Sequence, residues 1–178
     1  GVGAVQLGVV AASTALERSG LSGDKVEEAV FGNVLQAGQG QNPARQVAMG
    51  AGIPASVPAF TVNKVCGSGL KALELGWQSI MLGRADAVLA GGMESMSRAP
   101  YLLPAMRAGS RLGDAKAPDS IIGDGLTDVF GKYHMAITAE NVAAKYGITR
   151  GEQDEFALES QRKYAAAASR DLFAAEIA

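Results

Sequence analysis

A single cysteine, Cys66, stands in this 178-residue chain, inside the stretch Val62-Asn63-Lys64-Val65-Cys66-Gly67-Ser68-Gly69-Leu70-Lys71. It falls between an apolar, strand-like run and a long amphipathic segment. A thiol at a helix N-terminus faces unpaired backbone N–H groups and the positive end of the helix dipole, and both favour the thiolate. A thiolate is a nucleophile. Gly67 and Gly69 remove side chains from beside the sulfur, so the chain can turn sharply and a carbonyl can approach closely. The same pattern also fits a small buried hydrophobe at a strand-to-helix corner, and on spacing alone both readings stand.

Other residues invite chemistry less strongly. Glu94, in Gly92-Met93-Glu94-Ser95, reads as a brace that holds loops by hydrogen bonds in preference to a catalytic carboxylate. Asn63 reads as a loop-fixing amide, and Arg45 and Gln46 receive no role. The loop Gln36-Ala37-Gly38-Gln39-Gly40-Gln41-Asn42 resembles a phosphate cradle only superficially, because the Gly-Lys-Ser/Thr ending is missing, so its amides are expected to make structural hydrogen bonds. His134 is the only histidine. One histidine and one cysteine argue against a metal site built on such ligands.

Composition narrows the class. With 48% hydrophobic and 19% charged residues and a net charge of −2, the chain reads as a globular protein without the basic face that a phosphate backbone requires. No apolar run approaches a membrane span and no signal peptide is evident. A lone cysteine forms no intramolecular disulfide, so a reducing, cytoplasmic setting is expected.

The elements that must position Cys66 follow from periodicity. Val5, Val9, Ala12 and Leu16 predict a core-facing helix over 4–18, closed by Gly20. Ala29 to Leu35 reads as a buried parallel strand. Asn42 caps a helix opened by Pro43. A strand from Ala59 to Val65, a helix from about Gly67 to Leu82 and a strand from Ala85 to Ala90 form a parallel pair joined by a right-handed crossover. That helix carries Leu70, Leu73, Trp77, Ile80 and Met81 on one apolar side. Sites in such sheets lie at the carboxyl ends of strands, which brings Cys66 and Gly91-Gly92-Met93-Glu94-Ser95 to one edge. From about 93 to 137 the periodicity fades into an excursion too long for an idle connection, with a turn expected at 124–128. A helix beginning near Thr138 ends at Gly147, and a capping box at Thr149 and Glu152 launches the last one.

Asn63-Lys64-Val65-Cys66-Gly67-Ser68-Gly69, followed by Ala90-Gly91-Gly92-Met93-Glu94-Ser95-Met96-Ser97, closely resembles the thiolases, the acetyl-CoA C-acetyltransferase branch above all. Gly32 to Gly38, Gly40 to Gln46, Asp124 to Asp128 and Tyr133-His134-Met135 support the resemblance in the family's own order. It implies an α/β chain of the thiolase-type layered fold, with a mixed, mainly parallel sheet, covering helices and a long loop excursion. Residues 1–178 would be the N-terminal domain, incomplete at its start, with the excursion at about 93–137 serving oligomerisation and the C-terminal domain absent. The resemblance also implies that Cys66 takes an acyl group from acyl-CoA as a thioester, with its N–H contributing to an oxyanion hole.

By the same resemblance His134 and Met135 border the acyl pocket and the pantetheine end of CoA. For His134 a structural loop role and a role as base are alternatives. The family draws its base and second cysteine from later Gly-His-Pro and Cys-x-Gly segments that these residues do not contain, so this chain alone is expected to be inactive. Ala136 stands where the family usually has glycine. CoA and acyl-CoA are implied as substrates of lipid metabolism, with no tightly bound cofactor, and a homo-oligomer, dimer or dimer of dimers, as the assembly. The alternatives are a non-catalytic thiolase-like assembly module and a ketoacyl synthase on the same fold.

Overall fold

Glu28-Ala29-Val30-Phe31-Gly32 forms β1 (Glu28–Gly32), the axis of a three-stranded parallel sheet in the computed structural model, which describes residues 1–178. Its neighbours are β2 (Ala59–Val62) and β3 (Val88–Gly92), in the order β2-β1-β3. Ala29 lies opposite both Ala59 and Leu89, and Gly32 opposite both Val62 and Gly92. All three strands run parallel, in keeping with the mainly parallel sheet expected. A strand flanked on both sides and covered on both faces must be apolar throughout, and Ala29, Val30 and Phe31 are all buried.

Side chains alternate across the sheet, and the helices sort accordingly. Ala29, Phe31 and Leu89 join a core with α1 (Ala4–Ser19) and α2 (Pro43–Gly50), which contributes Ala44, Val47 and Ala48. Val88 and Ala90 point the other way, toward Gly76 of α3 (Ser68–Met81), where a β-carbon would come within 3.1 Å of Val88 Cγ1.

The buried face of α1 holds Ala12 and Leu16 as predicted but is otherwise shifted. Ala4, Gly8, Ala12 and Leu16 are buried, while Val5 and Val9 sit half-buried beside them. Close seating explains the shift: a β-carbon at Gly8 would lie 2.7 Å from Val47 Cγ2 and 2.9 Å from Met93 Sδ. Small residues let two backbones approach, and the valines pack at the margin. The same device governs α3, which buries Ser68, Ala72, Gly76 and Ser79. Its large apolar side, Leu70, Leu73, Trp77, Ile80 and Met81, faces outward, with Leu70 75% and Trp77 61% exposed.

Two boundaries also move. β1 stops at Gly32 and β2 at Val62, short of the predicted Leu35 and Val65, because the chain turns there into the loops at the sheet edge. β3 runs on through Gly91 and Gly92, which pair with Phe31 and Gly32. Glycine usually punctuates a strand, but here Gly91 admits the Phe31 ring, whose Cε1 would stand 3.0 Å from an added β-carbon.

The chain divides into two units, Gly1–Leu126 and Thr127–Ala178. In the first, the long excursion is pinned at its neck: Tyr101 bridges Asp119 in antiparallel fashion, Leu102 N–H donates to the Pro118 carbonyl at 2.9 Å, and the buried Ser120 hydroxyl donates to the Pro100 carbonyl at 2.6 Å. The expected turn at 124–128 is replaced by a π-helical segment, Ile121–Leu126. Such wide turns are uncommon and concentrate at functional sites.

In the second unit α4 (Met135–Tyr146) begins three residues before the predicted Thr138. The cap is His134, whose Nδ1 accepts the Ala136 N–H at 3.0 Å, a service ordinarily given by Ser, Thr, Asp or Asn. Gly147 closes the helix at φ 66°, and α5 (Arg150–Ser169) opens on the expected Thr149–Glu152 capping box. No helix is long and apolar enough to cross a membrane.

Candidate active site

The carboxyl ends of β1, β2 and β3 deliver Asn33, the Asn63–Cys66 turn and Met93–Glu94 to one edge, around a cleft of about 430 Å³. Cys66, Ser68, Asn33, Glu94 and, from the π-helical segment, Leu126 are among its lining residues. This is the juxtaposition that the strand-helix-strand pattern predicts.

Cys66 is exposed, which removes the reading of a small buried hydrophobe. It stands just before Gly67, the N-cap of α3, and its backbone N–H makes no hydrogen bond within the chain. An unpaired thiol and an unpaired N–H on the same residue, at the edge of a largely apolar cleft, are suited to attacking a carbonyl and to stabilising the oxygen charge that results.

Two glycines permit this junction. A β-carbon on Gly32 would lie 2.5 Å from Ser68 C and 2.6 Å from Gly69 N, and one on Gly92 would lie 3.2 Å from Gly69 Cα. Gly32 and Gly92 therefore let the first turn of α3 rest directly on the ends of β1 and β3.

Glu94 is a brace, as its setting predicts. Its carboxylate accepts hydrogen bonds from Asn33 Nδ2 at 2.9 Å, Val34 N–H at 2.9 Å and Leu35 N–H at 3.2 Å. Asn33 also donates to the Met93 carbonyl at 3.1 Å. The Asn33 Oδ1 has no partner although the residue is buried. Asn63 behaves as the expected loop-fixing amide, accepting the Val65 N–H at 2.9 Å.

The amide-rich loop is likewise structural. Gln36 Nε2 donates to the Asn33 carbonyl at 2.9 Å, and Gln46 Nε2 donates to the carbonyls of Gln39 and Gln41 at 2.8 and 2.9 Å. Arg45 donates to the Ala55 carbonyl at 2.9 Å.

His134 and Met135 belong to the second unit, at the start of α4. Met135 is 40% exposed and His134 half-buried. No cluster of three His, Cys, Asp or Glu side chains is placed to hold a metal. Asn33 and Ser68 also line the cleft, and the sequence alone assigns neither a role. The available signal was a polar residue ending a buried strand and a serine opening a helix beside the cysteine.

A parallel α/β sheet that presents a cysteine at a strand-to-helix junction defines a class of nucleophilic site. Within that class the sequence matches "Thiolase, N-terminal domain" over residues 1–178, and the chain belongs to the thiolase family. It is 58% identical over 174 residues to an acetyl-CoA acetyltransferase of Cupriavidus necator, covering 98% of this chain and 44% of that protein. An acetyl-CoA acetyltransferase of Pseudomonas aeruginosa is 55% identical over 177 residues, covering 99% of this chain and 45% of that protein. A probable acetyl-CoA acyltransferase of Staphylococcus aureus is 53% identical over 176 residues, with 99% and 45% covered. The chain thus spans less than half the length of these curated relatives and corresponds to a thiolase N-terminal half.

Proposed function

We propose that the whole protein is an acyl-CoA acyltransferase that catalyses reversible thiolysis of 3-ketoacyl-CoA and the reverse condensation of two acetyl-CoA. The observation that carries this reading is the exposed Cys66 thiol at the cleft edge with its own N–H unpaired. In the first half-reaction the Cys66 sulfur attacks the thioester carbonyl. The bond from that carbon to the CoA sulfur breaks, and CoA departs with the proton that Cys66 gave up. The Cys66 N–H donates to the carbonyl oxygen while it carries negative charge. In the second half-reaction a carbanion, formed by loss of an α-proton from acetyl-CoA, attacks the acyl-cysteine carbon and expels the Cys66 thiolate, and the α-proton ends on that sulfur, which restores the thiol. Thiolysis is the same sequence reversed.

The roles of His134 and Met135 as substrate-contacting residues belong to the proposal, on the strength of the family pattern and of the adaptable, exposed Met135 side chain. So do residues 1–178 as one thiolase N-terminal domain, a homo-oligomer assembled through the excursion at 93–137, a cytoplasmic setting, and CoA as a substrate in place of a tightly held cofactor. The test is turnover of the full-length protein with acetoacetyl-CoA and CoA. Cys66→Ser is expected to lower kcat by on the order of a thousandfold or more, and equal rates in the two proteins would overturn the assignment.

A further inference from the structure

Val65, the residue before Cys66, holds a β-branched side chain at φ 49°, in the left-handed region that such residues seldom enter. Backbone strain of this kind persists only where the surroundings over-determine it, and here the restraints can be named. Asn63 Oδ1 accepts the Val65 N–H at 2.9 Å. Ser68 Oγ accepts the Lys64 N–H at 2.8 Å and donates to the Val65 carbonyl at 2.6 Å. The same Val65 carbonyl accepts the Ser68 N–H at 3.1 Å. Ser68 is 4% exposed, seated against the end of β1, where a β-carbon on Gly32 would lie 2.7 Å from its own.

A serine hydroxyl has one proton to donate, and Ser68 spends it on the Val65 carbonyl. It therefore has none to offer Cys66 or a substrate, although it lines the cleft. What it does is close a clasp across the two residues that precede the cysteine.

We propose that Ser68 is a positioning residue for Cys66: its hydroxyl locks the Lys64–Val65 turn in the left-handed form, and that form presents the Cys66 thiol and N–H to the cleft. This rests on the reading of Cys66 as acyl acceptor. Without the hydroxyl, Val65 relaxes toward an ordinary backbone region and the cysteine swings with it. A displacement of about 1 Å at a reacting atom costs up to a hundredfold in rate.

The full-length protein provides the test, through the rate of acetyl transfer from acetyl-CoA to Cys66, followed by intact mass, beside the rate of alkylation of Cys66 by iodoacetamide. Alkylation needs only an accessible thiol, whereas acylation also needs the thiol and N–H aimed together. Ser68→Ala is expected to slow acylation by on the order of tenfold to a hundredfold while alkylation stays near the wild-type rate. Adding Val65→Asn should restore much of the loss, because asparagine enters the left-handed region without the β-branched penalty. A purely structural serine would instead lower the melting temperature and leave the ratio of the two rates unmoved.

Wild-type acylation in Ser68→Ala overturns the proposal, and so does slow acylation that Val65→Asn fails to recover. Should Ser68→Ala not fold, Asn63→Ala reads the same turn from an exposed position and is expected to slow acylation severalfold; an unchanged rate there overturns the proposal too. A wild-type protein that takes up no acetyl group at Cys66 refutes the acyltransferase reading itself, a failure distinct from the others.

Discussion

The Glu94 carboxylate and the Asn33 side-chain amide, 61 residues apart in sequence, are joined by a 2.9 Å hydrogen bond at the carboxyl ends of β3 and β1. With the Val34 and Leu35 N–H groups also donating to Glu94, one carboxylate fixes the wall of the cleft that holds Cys66. Replacing Glu94 by Ala leaves three donors without an acceptor and is expected to cost about 2–4 kcal/mol. Glu94→Gln, which keeps one acceptor oxygen, should cost about half as much. Urea denaturation checks this. Equal stability of Glu94→Ala and wild type would show that water replaces the carboxylate without cost.

Gly32 is the point where the first turn of α3 meets the central strand. Gly32→Ala sets a β-carbon against backbone atoms at 2.5–2.6 Å, and backbone cannot yield as a flexible side chain does. The expected loss is about 3 kcal/mol, read by thermal unfolding, together with slower acylation of Cys66. A stable variant with normal acylation would mean that α3 shifts freely on the sheet.

At the start of α5 the Glu152 carboxylate accepts hydrogen bonds from the Thr149 backbone N–H at 2.7 Å and the Thr149 hydroxyl at 2.9 Å. The backbone bond first, and then the hydroxyl bond, hold its pKa below the ordinary glutamate value. A folded-state pKa that is depressed contributes stability in full above the unfolded pKa and loses it as pH falls through the folded value. The first turn of α5 is therefore expected to fray as pH falls below the ordinary glutamate pKa of about 4.3 and on through the depressed folded value, seen as lost amide protection at Glu152 and Gln153. Glu152→Gln should remove that acid transition, and a transition that persists in the variant would place its origin elsewhere.

The outward face of α3 presents Leu70, Leu73, Trp77, Ile80 and Met81, each between 45% and 75% exposed. An apolar surface of this kind attracts apolar dyes and other copies of the chain. Residues 1–178 alone are expected to bind anilinonaphthalene sulfonate strongly, to self-associate on gel filtration and to show no acetoacetyl-CoA thiolysis. Turnover by this piece would refute the view that its chemistry depends on further residues.

The strand, cysteine and helix sequence around Cys66 was legible because each part has a local signature: an apolar run, a glycine-flanked thiol and a 3.6-residue period. The order of the parallel strands then placed Cys66 and Met93–Glu94 at one edge without further information. The buried face of α3, and half of that of α1, were not legible. Periodicity found Ala12 and Leu16 but weights large apolar residues, whereas Gly8, Ala72 and Gly76 are buried because backbones approach closely there, a property of the partner surface. His134 as a helix cap has no local signature for a similar reason, since histidine is a rare cap and its Nδ1 acts only once the turn has formed. The Asn33–Glu94 bond joins residues too far apart for any local pattern to pair. The left-handed Val65 contradicts its own residue preference, and local rules fail at such strained positions near functional sites.

The proposed acyltransferase reaction requires Cys66 to carry the acyl group, and intact-mass spectrometry of the full-length protein mixed with acetyl-CoA tests this most directly. The wild type is expected to gain the mass of one acetyl group, located at Cys66 by peptide mapping and removed by added CoA, while Cys66→Ser gains none. An acetyl adduct of equal yield on both proteins would contradict the account.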